Sequence, residues 1–385
     1  MSDIDALVGR EFVLSEEVVY LNHAAVAPWP LRTANAVCGF AQENAHRGST
    51  HYPRWLSVEA ALRKQLATLI NAPSSDDVAL LKNTSEGLSV VAYGLPWQAG
   101  DNIVISSQEF PSNRIVWESL RSQGVEVRQV DLNTDASPED ALLTACDGDT
   151  KLVAVSSVQY ASGLRMDLHR LGDACRQRDI LFCVDAIQSV GALVTDVQAC
   201  HIDMLVADGH KWMLGPEGVA AFYVRPEIRN RLTLRQFGWH MVEHAGDYDR
   251  KDWEPAHTAR RFECGSPNMV GIHGLNASIS LLLEVGMDVV ENRVLASAEL
   301  LIEDIQERLA CTLITPAAGD RHAGIVTFRP DTADVDALFG RLQDAGVMCA
   351  KRGGGIRLSP HFYTSAAALR EVVDLIAGFA NCSGT

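Results

Sequence analysis

A chain of 385 residues that is 47% hydrophobic and 21% charged has a globular composition, which excludes collagenous, coiled-coil and disordered classes. Its 33 Lys plus Arg against 49 Asp plus Glu leave a net charge of −16. That balance argues against nucleic acid or an anionic membrane as partner and leaves only a local basic pocket for a small anion.

The chain starts MSDIDALVGREFVLSEE, with acids where a secretory leader has a basic start. No stretch reaches the roughly 18 uninterrupted apolar residues of a spanning helix. Nine cysteines contain no CxxC pair, as expected of reduced thiols in a cytoplasm. The expectation is a cytoplasmic protein with no disulfide framework, and no metal site is assigned.

Short β-branched runs predict strands at Asp77 to Leu81, Asn102 to Ser106, Val125 to Val130, Lys151 to Val158, Ile180 to Asp185, Met204 to Ala207 and Val219 to Val224. Helical patterns fall between them at Ser57 to Ile70, Ser85 to Gly94, Ser112 to Gln123, Pro138 to Ala145 and Leu168 to Gln177. This alternation predicts an α/β fold, a mostly parallel sheet with helices on both faces. An irregular excursion from 225 to 266 follows, then one long helix from about Ile272 to Leu309. Strands at Cys311 to Thr315, Ile325 to Phe328, Val347 to Ala350 and Ile356 to Leu358, with helices near 332–345 and 365–379, predict a smaller α+β domain. The expected division is an N-terminal segment at 1–20, a large domain at 21–270 and a small C-terminal domain at 271–385, with the N-terminal segment packing on the small domain.

The most informative blocks are ILFCVDAIQSVG (180–191) and HIDMLVADGHKWMLGPEGVAAFYV (201–224). Strand carboxyl ends in a parallel sheet open onto the ligand crevice, so Asp185 and Lys211 are candidates to share one cavity. Taken singly, each is an ordinary turn or loop residue. KNTSEG (82–87) sits between a strand and a helix, where free backbone N–H groups offer an anion site or simply a capped helix start.

The order VDAxQSxG followed by GHKWxLGPxG resembles the class V aminotransferase family of pyridoxal 5′-phosphate (PLP) enzymes of fold type I. The likeness is strongest to the branch of isopenicillin N epimerase-like and cysteine desulfurase-like proteins, through QEFPSN (108–113), VQYASG (158–163), RRFECGSPN (260–268) and RLSPHFYTS (357–365). The resemblance implies PLP as cofactor, held by Lys211 as a Schiff base, and a carbanion formed at the Cα of an amino acid substrate. It implies that Asp185 pairs with the pyridine nitrogen, Gln188 with the ring oxygen, Thr84, Ser85 and His210 with the phosphate, and that Phe110 stacks on the ring. Arg357, with Arg352 as second candidate, is implied for the substrate carboxylate. His23 and His51 resemble segments near the substrate, and Ser266 one that reaches a partner's phosphate, implying a homodimer with shared sites.

Two features depart from that pattern. Arg352 runs through three glycines into Ile356 and Arg357, leaving no loop for the nucleophilic cysteine of a desulfurase. Asp208 places a carboxylate where a phosphate is expected, so it is left outside the site. Transamination is the nominal reaction; β-elimination at a C–S or other bond, epimerisation, and PLP binding without turnover are the alternatives. The 225–266 excursion is expected to line the entrance, where Trp239, His240, Tyr248 and Trp253 could contact a bulky or polar substrate, although surface packing is the commoner use of such aromatics.

Overall fold

The computed structural model describes residues 3–382 apart from Asp135, Thr332 and Ala333. The termini of the expected outer segments and the first two residues of the helix expected at 332–345 therefore lie outside the described residues. The strands, in chain order, are β1 (Val19–Tyr20), β2 (Val78–Leu81), β3 (Asn102–Ser106), β4 (Glu126–Val130), β5 (Thr150–Ser156), β6 (Leu181–Asp185) and β7 (Met204–Asp208). There follow β8 (Ala220–Val224), β9 (Cys311–Leu313), β10 (Val326–Pro330), β11 (Val347–Met348), β12 (Ala350–Arg352) and β13 (Gly355–Leu358).

Seven strands form one sheet in the order β2-β8-β7-β6-β5-β3-β4. Only β8 runs against its neighbours, β7 and β2; the other pairs are parallel. The alternation of side chains explains why these runs are apolar throughout. Val153, Val155, Phe182, Val184 and Leu205 join a core on one face, while Leu152, Ala154, Leu181, Cys183 and Val206 join a second core on the other. A strand covered on both faces has no solvent side to mark with polar residues.

Because β2 runs parallel to β7 across the reversed β8, the carboxyl ends of β2, β3, β5, β6 and β7 share one edge. The helix Thr84–Gly94 starts at that edge, capped by Asn83 Oδ1, which accepts from the Glu86 amide at 2.9 Å. Gly87 lets this helix lie directly on β7: a Cβ there would sit 2.6 Å from Val206 Cγ1. Gly87→Val is therefore expected to cost about 1–3 kcal/mol of stability through overpacking. An unchanged urea midpoint would show that the contact yields freely.

The C-terminal part forms a four-stranded antiparallel sheet, β12-β13-β10-β9, around its own core with Leu301, Phe328, Leu358 and Val373. β1 pairs in parallel with β11, tying the N-terminal chain to this part. β12 and β13 are joined by Gly353 and Gly354 alone, at φ of 59° and 79°, a two-residue turn that requires the left-handed region at both positions.

Several elements differ from the sequence expectation, among them the strand expected at Val347 to Ala350, which is split into β11 and β12. The single helix expected at 272–309 is two, Met269–Val285 and Met287–Arg308, bent by 85° at Gly286, whose φ of 86° no ordinary helix residue adopts. The helices Asp3–Glu11 and Leu31–Arg47 were not expected at all. No single helix among the described residues is long and apolar enough to cross a membrane.

Candidate active site

At the carboxyl edge of the large sheet lies a cavity of about 370 Å³ whose lining includes Thr84, Ser85, Phe110, Asp185, Gln188, His210, Lys211, Arg352 and Arg357. Asp185 is the last residue of β6, and its Oδ1 accepts from the Ile187 amide at 3.1 Å, which holds the carboxylate at the start of the following turn. Lys211 stands three residues past the end of β7 and is buried, as is Asp185.

Burial dominates the electrostatics of both groups. It raises the Asp185 carboxyl well above the ordinary carboxylate range, helped by Glu109 and Asp208 and opposed by the Ile187 amide and Lys211. It lowers the Lys211 ammonium below the ordinary lysine range; Asp185 opposes this, whereas Arg357 and Arg352 reinforce it. A lysine so placed keeps a larger neutral fraction near pH 7 than one in water, and only the neutral amine has a lone pair for a carbonyl carbon or a proton.

Gln188 is held by its neighbours: Trp212 Nε1 donates to its Oε1 at 2.8 Å, and its Nε2 donates to the Ala24 carbonyl at 3.1 Å. One N–H of that amide remains. Phe110 is 41% exposed and meets Tyr160 edge-on at 5.1 Å, with Lys211 Nζ 5.7 Å from its ring centre. The loop that carries Phe110 is fixed by its neighbour Glu109. This buried carboxylate accepts from the Ser156 amide at 3.0 Å, from the Ser156 hydroxyl, from Gln159 Nε2 at 3.0 Å and from Asn113 Nδ2 at 2.9 Å.

Several expected residues stand elsewhere. The His23 ring is fully buried, with Nδ1 2.8 Å from the Ser359 carbonyl and Nε2 2.6 Å from the Tyr363 hydroxyl. Burial, ahead of His361, pushes its pKa well down. Its ring lies 6.2 Å from that of Trp212, outside the cavity lining, with no free nitrogen for a substrate, which corrects the expectation. His51 precedes the helix Tyr52–Leu69, 3.3 Å from Glu43 and away from the cavity. Ser266 is exposed beside a second cavity with Lys82 and Gly218. Neither joins the Lys211 cavity within one chain. Trp239, Tyr248 and Trp253 are exposed aromatics outside the cavity lining, as surface packing implies, and His240 is buried 3.5 Å from Glu263.

Conversely, Asn83, Ser112 and Tyr160 line the cavity without having been singled out, and Asp208, expected outside the site, lines it as well. Ser112 and Tyr160 lie within the QEFPSN and VQYASG segments, the one signal that pointed to them. Asp208 Oδ1 comes within 3.0 Å of His210 Nδ1, although not in line for a hydrogen bond, and both atoms lack a hydrogen-bond partner.

The cavity suits PLP by its own chemistry. Thr84 Oγ1 and His210 Nδ1 are buried polar atoms without hydrogen-bond partners, and such atoms are costly unless something else satisfies them. The first-turn N–H groups of the helix at Thr84 add donors for a phosphate. Asp185 can hold a ring N–H, and the Lys211 amine can hold an aldehyde carbon.

Comparison with known proteins agrees. The family model described as aminotransferase class-V matches residues 19–368. A probable cysteine desulfurase of Methanothermobacter thermautotrophicus is 30% identical over 96% of this chain and 98% of its own length. The uncharacterized aminotransferase YcbU of Bacillus subtilis is 30% identical, covering 82% of each chain. The structure of a cysteine desulfurase from Thermococcus onnurineus NA1 superposes with a TM-score of 0.87 at 25% identity, covering 98% of both chains. With its mixed sheet, flanking helices and lysine-bearing cavity, the chain belongs to the class-V aminotransferase family and is a PLP-dependent enzyme of fold type I.

Proposed function

We propose that the enzyme moves the α proton of a free amino acid through the Lys211 amine while Arg357 holds the α-carboxylate, with transamination as its nominal reaction. The observation that carries this reading is the convergence of Lys211, Asp185 and Arg357 on one cavity. Bound PLP would supply an electron sink for the charge left at Cα. Asp185 would hold its ring nitrogen protonated, Thr84, Ser85 and His210 would hold its phosphate, the remaining Gln188 N–H would meet the ring oxygen, and Phe110 would cover the ring.

Once free of the cofactor, Lys211 is poised to take a proton from Cα and return one, since its lowered pKa leaves the amine neutral at modest cost. Arg357 lies at the cavity wall with Nη1 donating to the Tyr160 carbonyl at 2.7 Å, so the fork is fixed before substrate arrives. Epimerisation would need a second proton carrier on the opposite face of the substrate, and the phenyl ring of Phe110 cannot serve as one.

The names of the relatives favour a second reading, β-elimination from a sulfur-bearing amino acid. Sulfur transfer to the enzyme's own thiol is disfavoured: no cysteine lines the cavity among the described residues, and Cys349 is buried, its thiol pushed up to about 11 by burial. The reading extends to a cytoplasmic homodimer, to which His51 and Ser266 would contribute across the interface, and to a division into a large unit at 21–270 and a small one at 271–385.

Incubating the holoenzyme with single amino acids distinguishes the reactions. Transamination gives the oxo acid with one equivalent of aminated cofactor, and elimination from cysteine or cystine gives pyruvate and ammonia. Alanine with sulfur retained on a protein cysteine would contradict the proposal.

A further inference from the structure

Arg352 and Arg357 stand on the same face of the β12-β13 hairpin. The register pairs Arg357 with Ala350, and Arg352 lies two residues beyond Ala350 on that strand. Diagonal neighbours on one face of such a pair are about 7–8 Å apart, within reach of long side chains, and both residues line the Lys211 cavity. The two-glycine turn fixes this spacing, since it allows neither strand to slip.

The two guanidiniums differ in depth. Arg357 is buried, and Arg352 is exposed at the cavity rim. Their hydrogen bonds go only to backbone: Arg357 Nη1 to the Tyr160 carbonyl at 2.7 Å and Arg352 Nη1 to the Lys351 carbonyl at 2.7 Å. Neither has a carboxylate partner among the described residues. Other enclosed arginines in this chain are treated differently, since Arg63 grips Glu59 and Glu263, and Arg229 grips Asp77. Leaving an arginine buried without an acid is costly, and burial together with Arg352 pulls the Arg357 pKa down to about 10.

The remaining charges in the cavity do not resolve this. Neither of its two carboxylates pairs with these arginines: Asp185 accepts from the Ile187 amide and would face the ring nitrogen, and Asp208 lies 3.0 Å from His210 Nδ1. In a chain of net charge −16, two arginines that face a cavity whose acids do not pair with them form a local site for two anionic groups. A single α-carboxylate satisfies only one.

We infer that the substrate is an amino acid whose side chain carries a second anionic group, its α-carboxylate on Arg357 and the distal anion on Arg352. This rests on the Cα chemistry proposed above and adds the substrate class to it. Carboxylate, sulfinate and the far carboxylate of a disulfide-linked amino acid share this chemistry, so the test includes each. Arg352 is thereby a specificity-determining residue.

The holoenzyme is first titrated with non-reacting acids, succinate and glutarate against propionate and butyrate, with the cofactor absorption spectrum as readout. Dicarboxylates are expected to bind at least about tenfold more tightly, and Arg352→Gln is expected to erase that preference. Turnover is then compared for aspartate and asparagine, glutamate and glutamine, cysteine sulfinate and cysteine, and cystine and S-methylcysteine. Arg352→Gln is expected to lower kcat/KM for the anionic member of the productive pair about 10–100-fold more than for its neutral partner, the range of a lost charge-assisted hydrogen bond. Arg352→Lys should restore part of it.

Equal binding of mono- and dicarboxylates, or equal losses for both members of each pair, would overturn the inference while leaving the Cα chemistry standing. A dicarboxylate preference abolished by Arg352→Gln, with no amino acid transformed, would uphold the two-anion site and reject the Cα chemistry instead.

Discussion

Replacing Asp185 by asparagine is expected to lower turnover about 10- to 10³-fold while leaving the cofactor-free protein no less stable. An opposite charge beside a titrating group shifts its pKa by about 1–3 units, each worth a factor of ten between the two protonation states. Asparagine supplies no such charge, so the ring nitrogen loses its proton and the sink for Cα electrons weakens. The stability arm has the opposite sign. Burial raises the Asp185 carboxyl in the folded chain, with Glu109 and Asp208 adding to it. A carboxyl with a raised folded pKa favours the fold while protonated, fully so below its unfolded value of about 3.9, and that contribution is lost as pH rises through the folded value. At pH 8 the charged side chain is therefore a cost that asparagine removes. The check pairs steady-state kinetics with thermal unfolding of the cofactor-free protein at pH 8. Wild-type turnover, or a variant that loses activity because it unfolds, would contradict the assignment.

The second large effect concerns Lys211. Lys211→Ala is expected to abolish covalent retention of the cofactor and to lower turnover about 10²–10⁴-fold, the usual contribution of a positioned proton carrier. The pKa of the amine is held down by burial, and Arg357 and Arg352 act in the same direction. Its neutral form is thus more available near pH 7 than that of a lysine in water. If proton movement at Cα is its task, a small added amine such as methylamine should restore part of the activity of the alanine variant, in proportion to its basicity. A variant with full activity, or one that no amine rescues although it still binds cofactor and substrate, would assign the proton to another group.

How much of this was legible in the sequence depends on whether the signal was local. The strands of the large sheet could be read because burial on both faces leaves continuous apolar runs, as in NIVIS and MLVAD. The break at Gly286 could not, because the apolar rhythm continues across it and one glycine reverses the backbone. The helix Leu31–Arg47 was missed although its sequence is amphipathic; Thr33 is its buried residue.

The site divides in the same way. Asp185, Gln188, Lys211 and Phe110 sit in contiguous motifs that carry their context with them. His23 was misplaced because its partners, Ser359 and Tyr363, come from the far end of the chain. Asp208 was set aside because a carboxylate repels a phosphate unless a cation or proton intervenes, and only the fold shows the His210 nitrogen beside it. The meaning of Arg352 emerges only from the hairpin register, which no linear spacing displays.

The claim that organises all of these assignments is that a single amine, on Lys211, carries the cofactor. Reducing the holoenzyme with borohydride, digesting it and mapping the phosphopyridoxyl group by mass spectrometry tests it directly. One label per chain on the peptide containing Lys211 is predicted; a label on another lysine, or none in a protein that remains yellow and active, would contradict it.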